Sequence, residues 1–307
     1  MVESWVVATL ARGLAFAVPL LFAALGELVA ERAGVINLGV EGMMILGALS
    51  AFVVADASGS PWLGVLAAAF VGAAAAFFHA FFSVTLRANQ YVSGLALTMV
   101  GLGLSGLWGK AYAGRPLAHP LPKWDVPLLK EIPWLGPGIF SGQSALLYLG
   151  FVLAFLLWVF LYRTRGGIHL RSVGENPAAA DALGINVYLV RYLAVLFGGA
   201  MAGVAGAYLS VAYRPSWTEG MTAGMGWIAL AIVIFAAWDP LRAVGAAFLF
   251  GAFYHLAYRF QAHLAPEFLK MTPYLFTILF LVLSALGKGV RLGAPEALGR
   301  PFVRGER

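Results

Sequence analysis

Apolar residues run along this chain in long blocks separated by short polar connections. A spanning helix needs about 20 mostly apolar residues, and blocks near that length occur at 6–29, 34–55, 62–86, 91–108, 144–162, 191–212, 224–238, 241–258 and 273–289. The pattern predicts an all-α, polytopic integral membrane protein with about 8–10 transmembrane helices, forming a single transmembrane domain over residues 1–307. The block at 224–238 is short and ends at Asp239-Pro240. It is expected to be half of a broken or re-entrant element, which a membrane tolerates only where protein or a cavity covers the backbone. The first block follows Met1-Val2-Glu3-Ser4-Trp5, which lacks the basic start and cleavage site of a signal peptide, so it is expected to be retained.

The connections divide by charge, because lysine and arginine collect in cytoplasmic loops. Placing the 163–190 connection and Arg191 in the cytoplasm puts twelve basic residues inside against eight outside, with Arg32, Arg87, Arg242, Lys288, Arg291, Arg300, Arg304 and Arg307 among the twelve. The 110–143 connection is then extracytoplasmic. Its prolines at 116, 120, 122, 127, 133 and 137, with Trp124 and Trp134, suit an ordered cap on the headgroups, either a plain connector or a surface for an external partner.

Composition narrows the picture further. The chain is 61% hydrophobic and 11% charged, against about 25% charged in an ordinary soluble domain. The formal charge of +6 follows from the cytoplasmic-loop bias, so the expected partner is membrane lipid and not nucleic acid. With no cysteine, disulfides, thiolate metal sites and cysteine nucleophiles are excluded. His79, His119, His169, His255 and His263 show no metal or triad spacing. Gly109-Lys110 and Gly287-Lys288 lack the rest of a phosphate-gripping loop. No metal, cofactor or enzymatic activity is expected in this chain; His79 and His255 read as packing histidines. Small residues recur every fourth position at Gly64, Ala68, Gly72, Ala76 and Ala80, and again at Gly198, Ala202 and Gly206. Such stripes let helix backbones approach closely in lipid, and their partner is either the same chain or a second copy.

The connection "RTRGGIHLRSVGENPAAADALGIN" contains a short helix. Asn176 is a good N-cap, Pro177 fits the first helical position, and Gly184 suits a left-handed stop. About two turns are too short to hold in water without a surface to lie on. Its alanines offer little area to a bilayer and fit a protein groove better.

Four stretches, "ERAGVINLGVEGMMILGA", "ANQYVSGLALTMVGLGLSG", "SVGENPAAADALGINV" and "GWIALAIVIFAAWDPLRAVGAAFLFG", resemble in this order the landmarks of ABC-importer permeases of the ribose type. The resemblance is to the nucleoside and simple-sugar branch, and more distantly to branched-chain amino acid permeases. It implies a permease of the prokaryotic cytoplasmic membrane that pairs with a second permease, identical or paralogous. Two cytoplasmic ABC ATPases would hold ATP and Mg, and an extracytoplasmic solute-binding protein would deliver solute. It also implies that Gly174, Glu175, Asn176, Pro177, Ala178, Asp181 and Gly184 belong to a coupling helix seated in the ATPase. At Phe235-Ala236-Ala237-Trp238 a glycine would be expected after the phenylalanine, which puts local packing there in question.

Asn37 and Glu41 sit among glycines at the edge of an apolar block, on one face if the segment is helical. An ionisable group at membrane depth costs roughly 2.5 to 3.5 kcal/mol and usually faces a cavity or a partner. Two readings stand: Asn37 and Glu41 line the solute path, or Glu31, Arg32, Asn37 and Glu41 form a structural knot pairing with a basic residue such as Arg87. Further path candidates are Asn89, Gln90, Tyr91 and Ser93 at the mouth of the fourth block and Trp227 and Tyr213 flanking the seventh. The expected function is alternating-access import of nucleosides or related simple sugars. The rivals are a branched-chain amino acid importer and a stand-alone transporter in which Glu41 carries a coupling proton; no filter pattern supports a channel.

Overall fold

The computed structural model describes residues 2–127, 129–132, 136–260 and 293–305, together with 268, 271–272, 274–276, 278–279 and 282. Among these residues ten α-helices follow one another: α1 (Val2–Arg32), α2 (Val40–Ser58), α3 (Pro61–Ala80), α4 (Gln90–Gly109), α5 (Ala145–Arg163), α6 (Arg165–Glu175), α7 (Pro177–Ala182), α8 (Val187–Tyr208), α9 (Met225–Phe235) and α10 (Pro240–Phe260). Five-residue π-turns prolong α3 through Phe81–Thr85 and α8 through Leu209–Tyr213. Six of the helices are long and apolar enough to cross a membrane, and α9 is a shorter apolar helix of 11 residues. The block at 273–289 lies mostly outside the described residues, as do Pro133, Trp134, His263, Lys288, Arg291 and Arg307.

The two small-residue stripes pack against each other within the one chain. A methyl group added to Gly203 would run into the Ala68 carbonyl, and one added to Gly199 would meet Ala76 and the Gly72 carbonyl. Helix α8 also approaches α1, where a methyl on Gly26 would stand 2.7 Å from the Gly198 carbonyl, and α2, where Gly206 faces the Met44 carbonyl. In lipid, where apolar surface gains nothing by leaving solvent, this close approach of backbones is what holds helices together. Helix α8 is therefore the central post, with α1, α2 and α3 around it.

Large apolar side chains point away from this post on α3, α4 and α5, among them Leu66, Phe70, Met99, Val100, Val152 and Phe155. The connection at 110–143 is ordered over its described residues and clasps the end of α8. Leu117 and Leu121 amides donate to the Pro215 and Val211 carbonyls at 2.8 Å, and Lys123–Trp124 pairs antiparallel with Gln143–Ser144.

Two boundaries differ from those expected from hydropathy. Residues 163–176 were expected to be loop, yet α6 occupies 165–175, its first turn capped by the Thr164 hydroxyl, which accepts from the Gly167 amide at 3.1 Å. Gly166 and Gly167 lower its helical propensity and hide it, but Gly167 is what brings α6 against the Phe160 carbonyl. The second block was expected to be helical from residue 34; α2 starts only at Val40, because residues 33–39 form a turn through Gly34 at φ +86°.

Candidate functional site

The turn between α1 and α2 doubles back along α1. Past Gly34 the chain rises until the Asn37 amide donates to Glu27 Oε1 at 2.8 Å, more than a helical turn above the end of α1. The Ile36 amide donates to Gln90 Oε1 at 2.8 Å. Asn37 is therefore not on one helical face with Glu41, as the sequence suggested. It precedes the helix, its Oδ1 accepting from the Gly39 amide at 2.9 Å and its Nδ2 standing 3.5 Å from the Met43 sulfur. Glu27, wholly buried, escaped the sequence reading because a lone acid inside a long apolar block carries no spacing signal.

Glu41 stands in the first turn of α2, and its carboxylate closes the start of a different helix. Oε1 accepts from the Thr222 hydroxyl at 2.6 Å and the Gly224 amide at 2.9 Å; Oε2 accepts from the Gly226 amide at 2.7 Å. A helix start leaves amide donors unpaired and carries partial positive charge, so a carboxylate brought in by α2 supplies what the α9 sequence lacks. These bonds offset the cost of burying the charge. Close packing leaves no alternative geometry: a methyl on Gly226 would stand 2.9 Å from Glu41 Oε2. The expected pairing with Arg87 is replaced by these three donors, and the expected four-residue knot divides in two.

The second half of that knot grips the end of α9. Trp238 Nε1 donates to Glu31 Oε2 at 2.5 Å, while Arg32 Nε donates to the Trp238 carbonyl at 3.0 Å and Arg32 NH2 to the Tyr162 hydroxyl at 3.3 Å. Ala236, where a glycine was expected, has an ordinary φ of −74°. The strain falls on the next two residues, Ala237 at φ +51° and Trp238 at φ +56°. Left-handed geometry costs about 1 kcal/mol or more per non-glycine residue, and Glu31 and Arg32 hold it in place.

The remaining path candidates separate into two groups. Asn89 caps α4, its side chain accepting from the Tyr91 and Val92 amides at 3.0 and 3.1 Å. Gln90 is buried against the Ile36 amide, and Tyr91 is exposed. Ser93 meets His79 Nδ1 at 3.1 Å, and His79 Nε2 lies 3.0 Å from the Ile36 carbonyl. Since a carbonyl only accepts, Nε2 donates; in the neutral ring Nδ1 accepts from the serine hydroxyl. His79, Asn89 and Ser93 edge an outward-facing groove of about 610 Å³ between α3 and α4 whose walls include Phe78, Phe82 and Val100.

Trp227 belongs to the other group, half-buried in the first turn of α9. Residues 214–224 descend from the end of α8 toward Glu41, passing Trp217 against Gly109 and Glu219 against Gly106 of α4. Beside them a cavity of about 230 Å³ is lined by Phe16, Tyr213, Arg214, Glu219, Met225 and Tyr254. Phe16 and Tyr254 stack at 4.1 Å and Tyr213 meets Phe16 edge-on at 5.4 Å. Glu219 is exposed and carries no spacing signal; an acid in the eleven-residue break before a short apolar block was the available one.

At the far end of α5, α7 has the caps its sequence predicts. Asn176 Oδ1 accepts from the Ala179 amide at 2.9 Å, and Gly184 adopts φ +82° with its amide donating to the Asp181 carbonyl at 2.9 Å. Ala180 turns inward with Val173 and Val187. Ala178 and Ala179 are exposed and Leu183 is 82% exposed. Gly174 and Glu175 end α6 just before the cap, and Asp181 pairs with Arg304 at 2.9 Å.

A bundle with six helices long and apolar enough to span a membrane among the described residues, a buried carboxylate closing the start of a short apolar helix, and a short capped helix at one end is the architecture of a polytopic membrane protein. The chain belongs to the family described as branched-chain amino acid transport system / permease component, which it matches over residues 9–284. It is 40% identical to a putative glucose ABC transporter permease protein of Haloferax volcanii, over 93% of this chain and 94% of that one. It is 38% identical to the guanosine ABC transporter permease protein NupQ of Bacillus subtilis, over 96% of both chains. It is also 38% identical to the nucleoside ABC transporter permease protein of Lactococcus lactis, over 95% of both. The same Bacillus strain has a second guanosine ABC transporter permease protein, 26% identical over 76% of this chain and 69% of its own, so permeases of this kind occur as paralogous pairs. No solved structure matches.

Proposed function

We propose that this chain is the transmembrane permease subunit of an ABC importer for nucleosides or a related simple sugar, working by alternating access in the cytoplasmic membrane of a prokaryote. A paralogous second permease completes the path, two cytoplasmic ABC ATPases bind ATP with Mg and perform hydrolysis, and an extracytoplasmic binding protein delivers the solute. The observation that carries the reading is α7. A capped helix with Leu183 in the open, at the tip of a bundle buried elsewhere in lipid, is a surface made for a protein. ATP-driven motion of the ATPases displaces α6 and α7, and the attached helices open the path to one side or the other.

Supporting a nucleoside or sugar cargo are the full-length likeness to permeases named for guanosine, nucleosides and glucose and the cavity beside Glu219. Its aromatic rings suit a nucleobase or the apolar face of a sugar, and Glu219 and Arg214 suit hydroxyls and amines. Stacking on one ring is worth about 1 to 3 kcal/mol per base. Tyr91, Ser93 and Trp227 remain in this reading as path-lining groups, whereas Asn37, Glu41, Asn89 and Gln90 shape the backbone that borders it.

The test is uptake of labelled uridine into proteoliposomes holding the chain with its second permease, ATPase and binding protein. ATP-dependent uptake that guanosine blocks and leucine does not is the expected result. ATP-dependent leucine uptake would favour the branched-chain amino acid cargo of the family's description, and uptake by this chain alone on a proton gradient would overturn the importer.

A further inference from the structure

Residues 293–305 return to the face that carries α6 and α7 and bind several elements at once. The Ala297 amide donates to the Gly174 carbonyl at 2.9 Å and the Glu296 amide to Glu175 Oε2 at 3.3 Å. Arg304 meets Asp181 at 2.9 Å, and Phe302 is buried with Val173, Ala180 and Val187, its ring 5.5 Å from that of Tyr188. The same segment also reaches the break between α1 and α2. The Gly299 amide donates to the Gly34 carbonyl at 3.1 Å, and the Arg300 carbonyl accepts from the buried Arg191 at 3.0 Å. Gly299 adopts φ +75°, and an added Cβ would press on Ile36 at 3.1 Å, so the position is built for glycine.

We infer that this C-terminal segment and α7 form one composite docking surface for the ATPase partner, and that the segment carries displacement of α7 to the Gly34 turn. The inference rests on the ATPase reading above. A groove of about 330 Å³ lies between residues 175–178 and 296–303, with the exposed Ala178 in its wall, and Ala179 and Leu183 are also exposed on the same short helix and its end. Its walls carry Glu175, Glu296 and Arg300. Acids and a base side by side suit the mixed surface of a folded protein, whereas an anionic bilayer would call for bases alone. The two amide bonds to Gly174 and Gly34 make the segment a strut between the docking face and the turn that leads into Glu41.

The experiment compares the assembled importer containing the unaltered chain, Phe302→Ala, Arg304→Ala, or Arg304→Asp combined with Asp181→Arg. ATPase recovered on purification and solute imported per ATP hydrolysed are both read. Phe302→Ala is expected to lower imported solute per ATP about fivefold or more, Arg304→Ala to lower it less, and the charge swap to restore it. Arg304 is on the surface, so its variant remains informative if Phe302→Ala fails to fold. Unchanged ATPase recovery and unchanged coupling in both single variants would overturn the inference. So would a defect that appears only in vesicles with anionic lipid while ATPase recovery stays intact, since that places the segment on the bilayer. If the unaltered chain recovers no ATPase, the importer reading itself falls, and the two failures are thereby told apart.

Discussion

The junction at Glu41 and the face around α7 are both places where a short helix begins, and they are built in opposite ways. At Glu41 three donors converge on one buried carboxylate supplied by another helix. At α7 the cap is a neutral asparagine from the same segment, the neighbouring ion pair is mostly open to solvent on its arginine side, and Leu183 lies bare. A buried charge is costly to leave unpaired, whereas an exposed ion pair contributes about 1 kcal/mol or less. The start of α9 is therefore fixed by buried bonds, and in the importer proposed above α7, whose outer side is held by an asparagine cap and an exposed ion pair, is the part that would yield when an ATPase pulls on it.

The severest way to break this contrast is Glu41→Ala, which leaves the Thr222 hydroxyl and the Gly224 and Gly226 amides without their acceptor. It is expected to lower stability by about 3 to 5 kcal/mol, read as a lowered unfolding temperature of the purified protein. An unchanged melting temperature would remove the rigid half of the comparison. At α7, Asn176→Ala is expected to cost about 1 kcal/mol locally, visible as faster amide exchange over residues 178–183 with global melting nearly unchanged. Equal losses at the two sites would erase the distinction.

Much of this architecture is legible from residues alone, for stated reasons. The caps at Asn176 and Gly184 are local chemistry, and local chemistry reads well. The small-residue stripes are equally plain, but which helix each one meets is a matter of tertiary packing, so the pairing of Gly199 and Gly203 with α3 became clear only in the fold. The partners of Glu41 lie more than 180 residues away in sequence, and nothing near Glu41 announces them. Hydropathy likewise placed the second helix too early, because it registers the greasiness of Val35 and Ile36 and not the left-handed Gly34 between them and α1.

Smaller effects sharpen the comparison at its edges. Ala237→Gly relieves one of the two left-handed residues that Glu31 and Arg32 hold in place, and is expected to raise stability by about 1 kcal/mol; a loss on thermal unfolding would mean that strain is not what the grip opposes. The smallest lies in the 110–143 cap. There the Gly142 amide at 2.8 Å and the Ser141 hydroxyl at 3.1 Å hold the Asp125 carboxyl below its usual pKa. Because the charged form is favoured in the folded cap, its contribution is present at neutral pH and disappears as pH falls through that lowered value. Protection of the Gly142 amide, taken against its intrinsic exchange rate at each pH, should therefore persist at neutral pH and be lost only in acid, and should be lower at neutral pH in Asp125→Asn.

The most direct measurement is hydrogen–deuterium exchange on the assembled importer, with and without ATP, comparing residues 175–186 with residues 222–228. Exchange in 175–186 that shifts with ATP while 222–228 remains slow throughout is the predicted outcome. Equal shifts in both segments, or a change confined to 222–228, would contradict a fixed break driven from a yielding docking face.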